Sequence, residues 1–166
     1  MKKFTQLNKN RKNFKSDEIV DSDIKPNNKQ LQLNLPQSEN NVGGVIGFFS
    51  KLFESREVAH IFHLQVKDGN AYSAHKSLED YYEDILELID DIIEVYQGQY
   101  GIIKEYDMIN TKEAIDKDPV DYFEELANFI KNERKCISEE DTHLHSIIDE
   151  VVILIYKTLY KLKNLK

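Results

Sequence analysis

Between Leu78 and Tyr96 the apolar residues Leu78, Tyr82, Ile85, Ile89, Ile92 and Tyr96 recur three and four apart. That spacing is one face of an α-helix and does not suit a strand, whose sides alternate every second residue. A helix with one apolar stripe must bury it, and here three other stretches offer matching stripes. Val45, Phe48, Phe49, Leu52, Phe53, Ala59, Phe62 and Val66 predict a helix over about 44–66. The stripe containing Leu78 predicts one over 71–98, and Val120, Phe123, Leu126, Ala127 and Ile130 one over 119–135. Leu144, Ile147, Ile148, Val151, Ile155, Leu159 and Leu162 predict a last one over 139–163, with Val151–Tyr156 apolar nearly all round and so expected to be widely buried.

Local signals punctuate these stretches. Asn40 to Gly44 reads as a hinge before the first helix, and Lys67 to Asn70 as a tight turn. Gly98 and Gly101 close the second helix. Residues 99–117 form a long connection with short helical turns expected at Tyr100–Tyr106 and Thr111–Ile115. Asp118-Pro119 is an N-cap followed by N1 proline. Ser138 is expected to cap the last helix, with Glu139, Glu140 and Asp141 in its first turn. A tight first connection and a long second one predict an all-α fold, a four-helix bundle of ferritin-like connectivity spanning 42–166.

Ahead of it, residues 1–41 are polar, with apolar residues appearing singly, and cannot bury enough surface to fold alone. The first sixteen carry Lys2, Lys3, Lys9, Arg11, Lys12 and Lys15 and no acid. They read as a flexible arm that could contact DNA or an assembly through clustered charge. The whole chain is acidic, with a net charge of −8 and 31% charged residues, which argues against a body built for nucleic acid. A lone cysteine, Cys136, excludes an internal disulfide and fits a reducing compartment. Lacking a secretory signal or a run of about 20 apolar residues, the chain reads as cytoplasmic with no membrane partner.

The second helix also carries chemistry. His75/Glu79 and Asp90/Glu94 are pairs at i,i+4 spacing, so each pair shares a face. They cannot grip one ion together, because Glu79 and Asp90 stand roughly 16 Å apart along a helix. They are, however, symmetric about residues 84–85. A second copy laid antiparallel across a two-fold axis brings His75 level with the partner copy's residue 94, and Glu79 level with its residue 90. Two equivalent His/carboxylate sites would follow. The bland alternative is a solvated acidic face, which Asp80, Glu83, Asp84, Glu87 and Asp91 also supply.

His63, His75, Glu79, Asp90 and Glu94 fall in the register of the ferroxidase segment of the Dps-type mini-ferritins, and AHIFHLQVKDG resembles that family's wording around the first histidine. The resemblance covers about 55–97 well and 138–163 weakly. It implies iron as cargo, Fe(II) oxidation at a site shared between subunits, a two-fold dimer and a dodecamer, and a short helix in the connection at the dimer contact. His63, His75 and Glu79 would come from one copy, and Asp90 and Glu94 from its mate. The chain departs from the pattern at Leu64, where Trp is usual and where Tyr81 or Tyr82 are the candidate substitutes, and at Glu79, where Asp is usual. His143, His145 and Asp149 do not make an intrasubunit ligand motif and are expected at the surface. The competing expectation is a non-catalytic ferritin-like structural or assembly protein, for example of a phage particle, with the ligand set vestigial or a structural clip; it would then be virion-associated.

Overall fold

The computed structural model describes residues 39–67 and 71–165, and the basic segment 1–16 and most of the arm and of the KDGN turn lie outside them. Four helices make up the fold: α1 (Glu39–Gln65), α2 (Ala71–Tyr100), α3 (Pro119–Glu133) and α4 (Thr142–Asn164), with a short 3-10 turn at Arg134–Cys136. In cross-section they follow one another as α1, α2, α4, α3. Each runs antiparallel to its neighbours. Phe49 meets Tyr96, and Phe62 meets Tyr122 while Phe48 meets Phe129. Gln99 reaches Asp141 at one end of the α2–α4 pair, and Lys161 reaches Asp80 at the other.

This order requires the chain to return the length of the bundle between α2 and α3, and residues 101–118 do so along α1. The Asp107 amide donates to Ser50 Oγ at 3.0 Å, and Tyr106 sits edge-on to Phe53. The single long crossover is the predicted ferritin-like connectivity. The predicted helical turn at Thr111–Ile115 is present as a hydrogen-bonded turn. The one at Tyr100–Tyr106 is not: Tyr100 ends α2, and Gly101 at φ +97° turns the chain away, a conformation that costs a residue with a Cβ. No separate short helix occurs in the connection.

The core is continuous. Phe48, Phe49 and Leu52 of α1, Ile85 and Ile89 of α2, Phe123 and Ile130 of α3, and Leu144, Ile148 and Ile155 of α4 are all sealed from solvent. Each such side chain is worth roughly 1.5–3 kcal/mol of transfer free energy. Of the adjacent pair, Tyr81 and not the predicted Tyr82 is buried. Its hydroxyl is 2.9 Å from Ser55 Oγ, whose own proton goes to the Leu52 carbonyl, so Tyr81 donates. Such a partner offsets the cost of burying a phenol, and of positions 81 and 82 it is 81 that faces one.

Two helix starts differ from expectation for physical reasons. α1 begins at Glu39, so the expected hinge is helical; a Cβ on Gly44 would stand 3.3 Å from the Cys136 Cβ, and the glycine lets the chain approach there. α3 begins as predicted, with Asp118 accepting from the Val120 amide at 2.8 Å ahead of Pro119. α4 begins three residues late. Ser138 starts a turn closed by the Asp141 amide, and Asp141 flanks the helix without a side-chain cap because Gln99 and Tyr100 hold its carboxylate at 2.7 and 2.5 Å. The apolar run Val151–Tyr156 is not buried all round either. Among the described residues α4 packs mainly against α2 and α3, and Ile153 and Tyr156 on its outer side are more than half exposed.

Candidate functional site

Only residues 66–70 separate α1 from α2 in the sequence, and the last turn of α1 lies beside the first turns of α2. That places His63 against His75. Their rings stack with centroids 3.6 Å apart and planes 26° from parallel. Each ring is tied to the other's backbone: His63 Nδ1 lies 3.0 Å from the His75 carbonyl oxygen, and His75 Nδ1 lies 3.1 Å from that of His63. A carbonyl only accepts, so both Nδ1 atoms carry protons. In the neutral rings both Nε2 atoms therefore hold the lone pair. Metal-binding histidines are set up in this way, with one ring nitrogen donating to a carbonyl while the other faces the ion.

The surroundings are aromatic and polar. Tyr82 stands edge-on to His63 at 5.3 Å and packs at 4.5 Å on His60, one turn earlier on α1. The Arg56 guanidinium lies 6.0 Å from the centre of the Tyr82 ring and pairs with Glu57, while its Nε is buried with no partner among the described residues. Tyr82 is thus the tyrosine in contact with the histidines, whereas Tyr81 is sealed in the core.

Glu79 is one turn beyond His75 and half exposed. Lys76 bonds it at 2.8 Å, and that ammonium holds its carboxyl below the ordinary range, with smaller help from His63 and His75. Lys76 also reaches Asp80 at 3.2 Å, and the two acids push its own pKa up. Sequence reasoning missed this lysine, although its i,i+3 and i,i+4 spacing to the two acids was a readable signal. Asp90 and Glu94 lie further along α2, both exposed. Among the described residues, no group of three or more His, Cys, Asp or Glu in one chain could hold a metal ion. One chain thus brings His63 and His75 together with Glu79 nearby, and leaves Asp90 and Glu94 facing outward and apart from them.

The other histidines are engaged in structure. His143 Nε2 is 3.0 Å from Gln99 Oε1. His145 accepts at Nδ1 from Arg134 and donates from Nε2 to the Ser138 carbonyl, while Arg134 also pairs with Asp149 at 2.7 Å. This cluster ties the 3-10 turn to α4.

Fold and site together describe a one-crossover four-helix bundle with a preset histidine pair between its first two helices. The chain belongs to the family of unknown function DUF5856, whose model matches residues 63–162 and so spans all five candidate residues. No curated protein and no solved structure matches it. Among the described residues, no helix is long and apolar enough to cross a membrane.

Proposed function

We propose that this protein binds and oxidises Fe(II) at sites completed by a two-fold copy of itself, in the manner of the mini-ferritins. The observation that carries the reading is the reciprocal bonding of His63 and His75, which fixes two imidazoles with Nε2 available. Iron(II) accepts imidazole and carboxylate ligands together. Glu79 would be the third group from the same chain, exchanging Lys76 for the ion. Asp90 and Glu94, exposed on the same edge of α2, would serve the mate's histidines.

Electrostatics supports a shared site. On a dyad near residues 84–85, Glu79 faces the partner copy's residue 90, an aspartate, and like charges repel unless a cation lies between them. The exposed Leu86, next to that axis, supplies an apolar contact for closing the pair. Two Fe(II) ions would each give one electron to a peroxide, which with two protons leaves as two waters. The acidic net charge of −8 favours cation accumulation around the particle. Assembly into a closed dodecamer would turn oxidation into storage.

An anaerobic Fe(II) titration followed by peroxide or oxygen tests this reading, with mass followed by light scattering. Saturation near two irons per dimer, fast oxidation and iron-promoted dimerisation are expected. Saturable binding and dimerisation without oxidation would make the site a structural clip of an assembly protein. Failure to bind iron specifically would end the reading.

A further inference from the structure

The α1–α3 edge of the bundle, bordered by the crossover, holds two adjoining cavities of about 330 and 340 Å³ that share Lys51, Glu54 and Phe129. Phe48 stacks on Phe129 beneath the first, with ring centroids 6.2 Å apart, and Leu126 and Tyr122 lie beneath the second. The rim above this apolar floor is acidic. Its two lysines are already engaged, Lys51 by Glu54 and Lys117 by Glu125. Asp107 and Glu113, exposed on the rim, have no ion pair among the described residues. They belong to different cavities. The Asp107 carboxylate lies over α1, where a Cβ added to Gly47 would meet its Oδ2 at 3.5 Å. Glu113 stands in the hydrogen-bonded turn of the crossover.

Tyr122 supplies a second, independent observation. It is 2% exposed, it lines the second cavity, and its hydroxyl has no hydrogen-bond partner among the described residues. Buried hydroxyls ordinarily have one. Burial raises the pKa of this phenol, and Tyr81, Glu54 and Glu125 add to the rise. The last two are carboxylates of the cavity wall, so the hydroxyl is turned toward that wall. The Lys51 ammonium lies 5.7 Å from the centre of the same ring, which shows that an alkylammonium suits the place.

The rim calls for positive charge, and for charge that is spread out. Among the described residues no three His, Cys, Asp or Glu gather closely enough to hold a metal ion. Gly47 in the first cavity and Glu54 at the junction stand roughly 10 Å apart along α1. We propose that this cleft binds a linear aliphatic diamine or triamine. One terminal ammonium pairs with Asp107, and the other pairs with Glu113 and donates to the Tyr122 oxygen. The methylene chain crosses Phe129, the ring that both cavities share. None of the five candidate iron ligands takes part, so this site stands or falls apart from the iron reading.

Titration calorimetry of the full chain with putrescine, spermidine and butylamine tests it, with magnesium chloride as the point-charge control. One putrescine or spermidine per chain should bind, about tenfold or more tighter than butylamine, which has a single ammonium. Asp107→Asn, Glu113→Gln and Tyr122→Phe should each weaken binding roughly tenfold, the worth of one hydrogen bond to a charged group. Tyr122→Phe should do so while raising the thermal midpoint of the amine-free protein, a split that lost packing would not produce. Asp84→Asn/Asp91→Asn, which removes more charge from another face, should leave binding unchanged. Absence of saturable binding, butylamine binding as tightly as putrescine, magnesium competing as well as putrescine at equal concentration, or equal losses in the control variant would each overturn the site.

Discussion

The two ends of α2 use the same kinds of residue for opposite purposes. At its C-terminal end Gln99 and Tyr100 close on the buried Asp141 and His143 closes on Gln99, so the carboxylate is satisfied by its neighbours. At its N-terminal end His63 and His75 spend only Nδ1 on the backbone and keep Nε2 in reserve. A closed network holds helices together; an oriented group with a spare lone pair can take a ligand. The presence of histidines and acids does not distinguish the two ends, but the state of their second atoms does.

The largest effect should come from breaking the open end. His63→Ala or His75→Ala should weaken Fe(II) binding at least about 100-fold, beyond the roughly 10–100-fold typical of losing a mere supporting group. The thermal midpoint of His75→Ala should barely move, since that ring is exposed. Equal iron binding by variant and parent would refute the site.

Breaking the closed end should do the reverse. Asp141→Ala strips Tyr100 and Gln99 of their acceptor and should cost about 3 kcal/mol in denaturant unfolding. Iron binding by the folded fraction should be unchanged; a parallel loss would show that the two ends are coupled.

The closed end also has a pH signature. Burial, and then the bond to Asp141, push the Tyr100 phenol up to about 12 from its ordinary 10.0. Because the folded value is the higher one, this contribution to stability is complete below pH 10 and is lost as pH rises toward 12. Thermal midpoints recorded from pH 9 to 12 should fall less steeply for Tyr100→Phe, and an unchanged slope would place the alkaline sensitivity elsewhere.

A further substitution probes a defect near the open end. Tyr122 is 2% exposed and its hydroxyl has no partner among the described residues. Tyr122→Phe removes an unsatisfied buried group and should stabilise the fold by about 1 kcal/mol. A loss of stability would mean that the hydroxyl is served by an internal water.

The smallest expected change is at Lys76. Its pairs with Glu79 and Asp80 are exposed and screened by water, so they contribute little to stability. Lys76→Met frees Glu79 and should tighten Fe(II) binding a few-fold; weaker binding would mean that Glu79 is not a ligand.

The all-α class, the four stripes and the long second connection were legible in the sequence, because helical burial imposes a period that neighbours along the chain reveal by themselves. Asp118-Pro119 was legible too, since a cap and its helix are local. The spacing that sets His63 beside His75 lies in the eleven residues between them. What the tertiary structure alone decided were the choices between adjacent candidates. Ser55 on α1 selects Tyr81 over Tyr82 for the core. Gln99 and Tyr100 of α2 draw the Asp141 carboxylate away from capping α4. The placement of α4 against α2 and α3 leaves Ile153 and Tyr156 of an apolar run on its outer side. Each depends on a partner from a distant element, and spacing within one helix carries no information about what another helix will present.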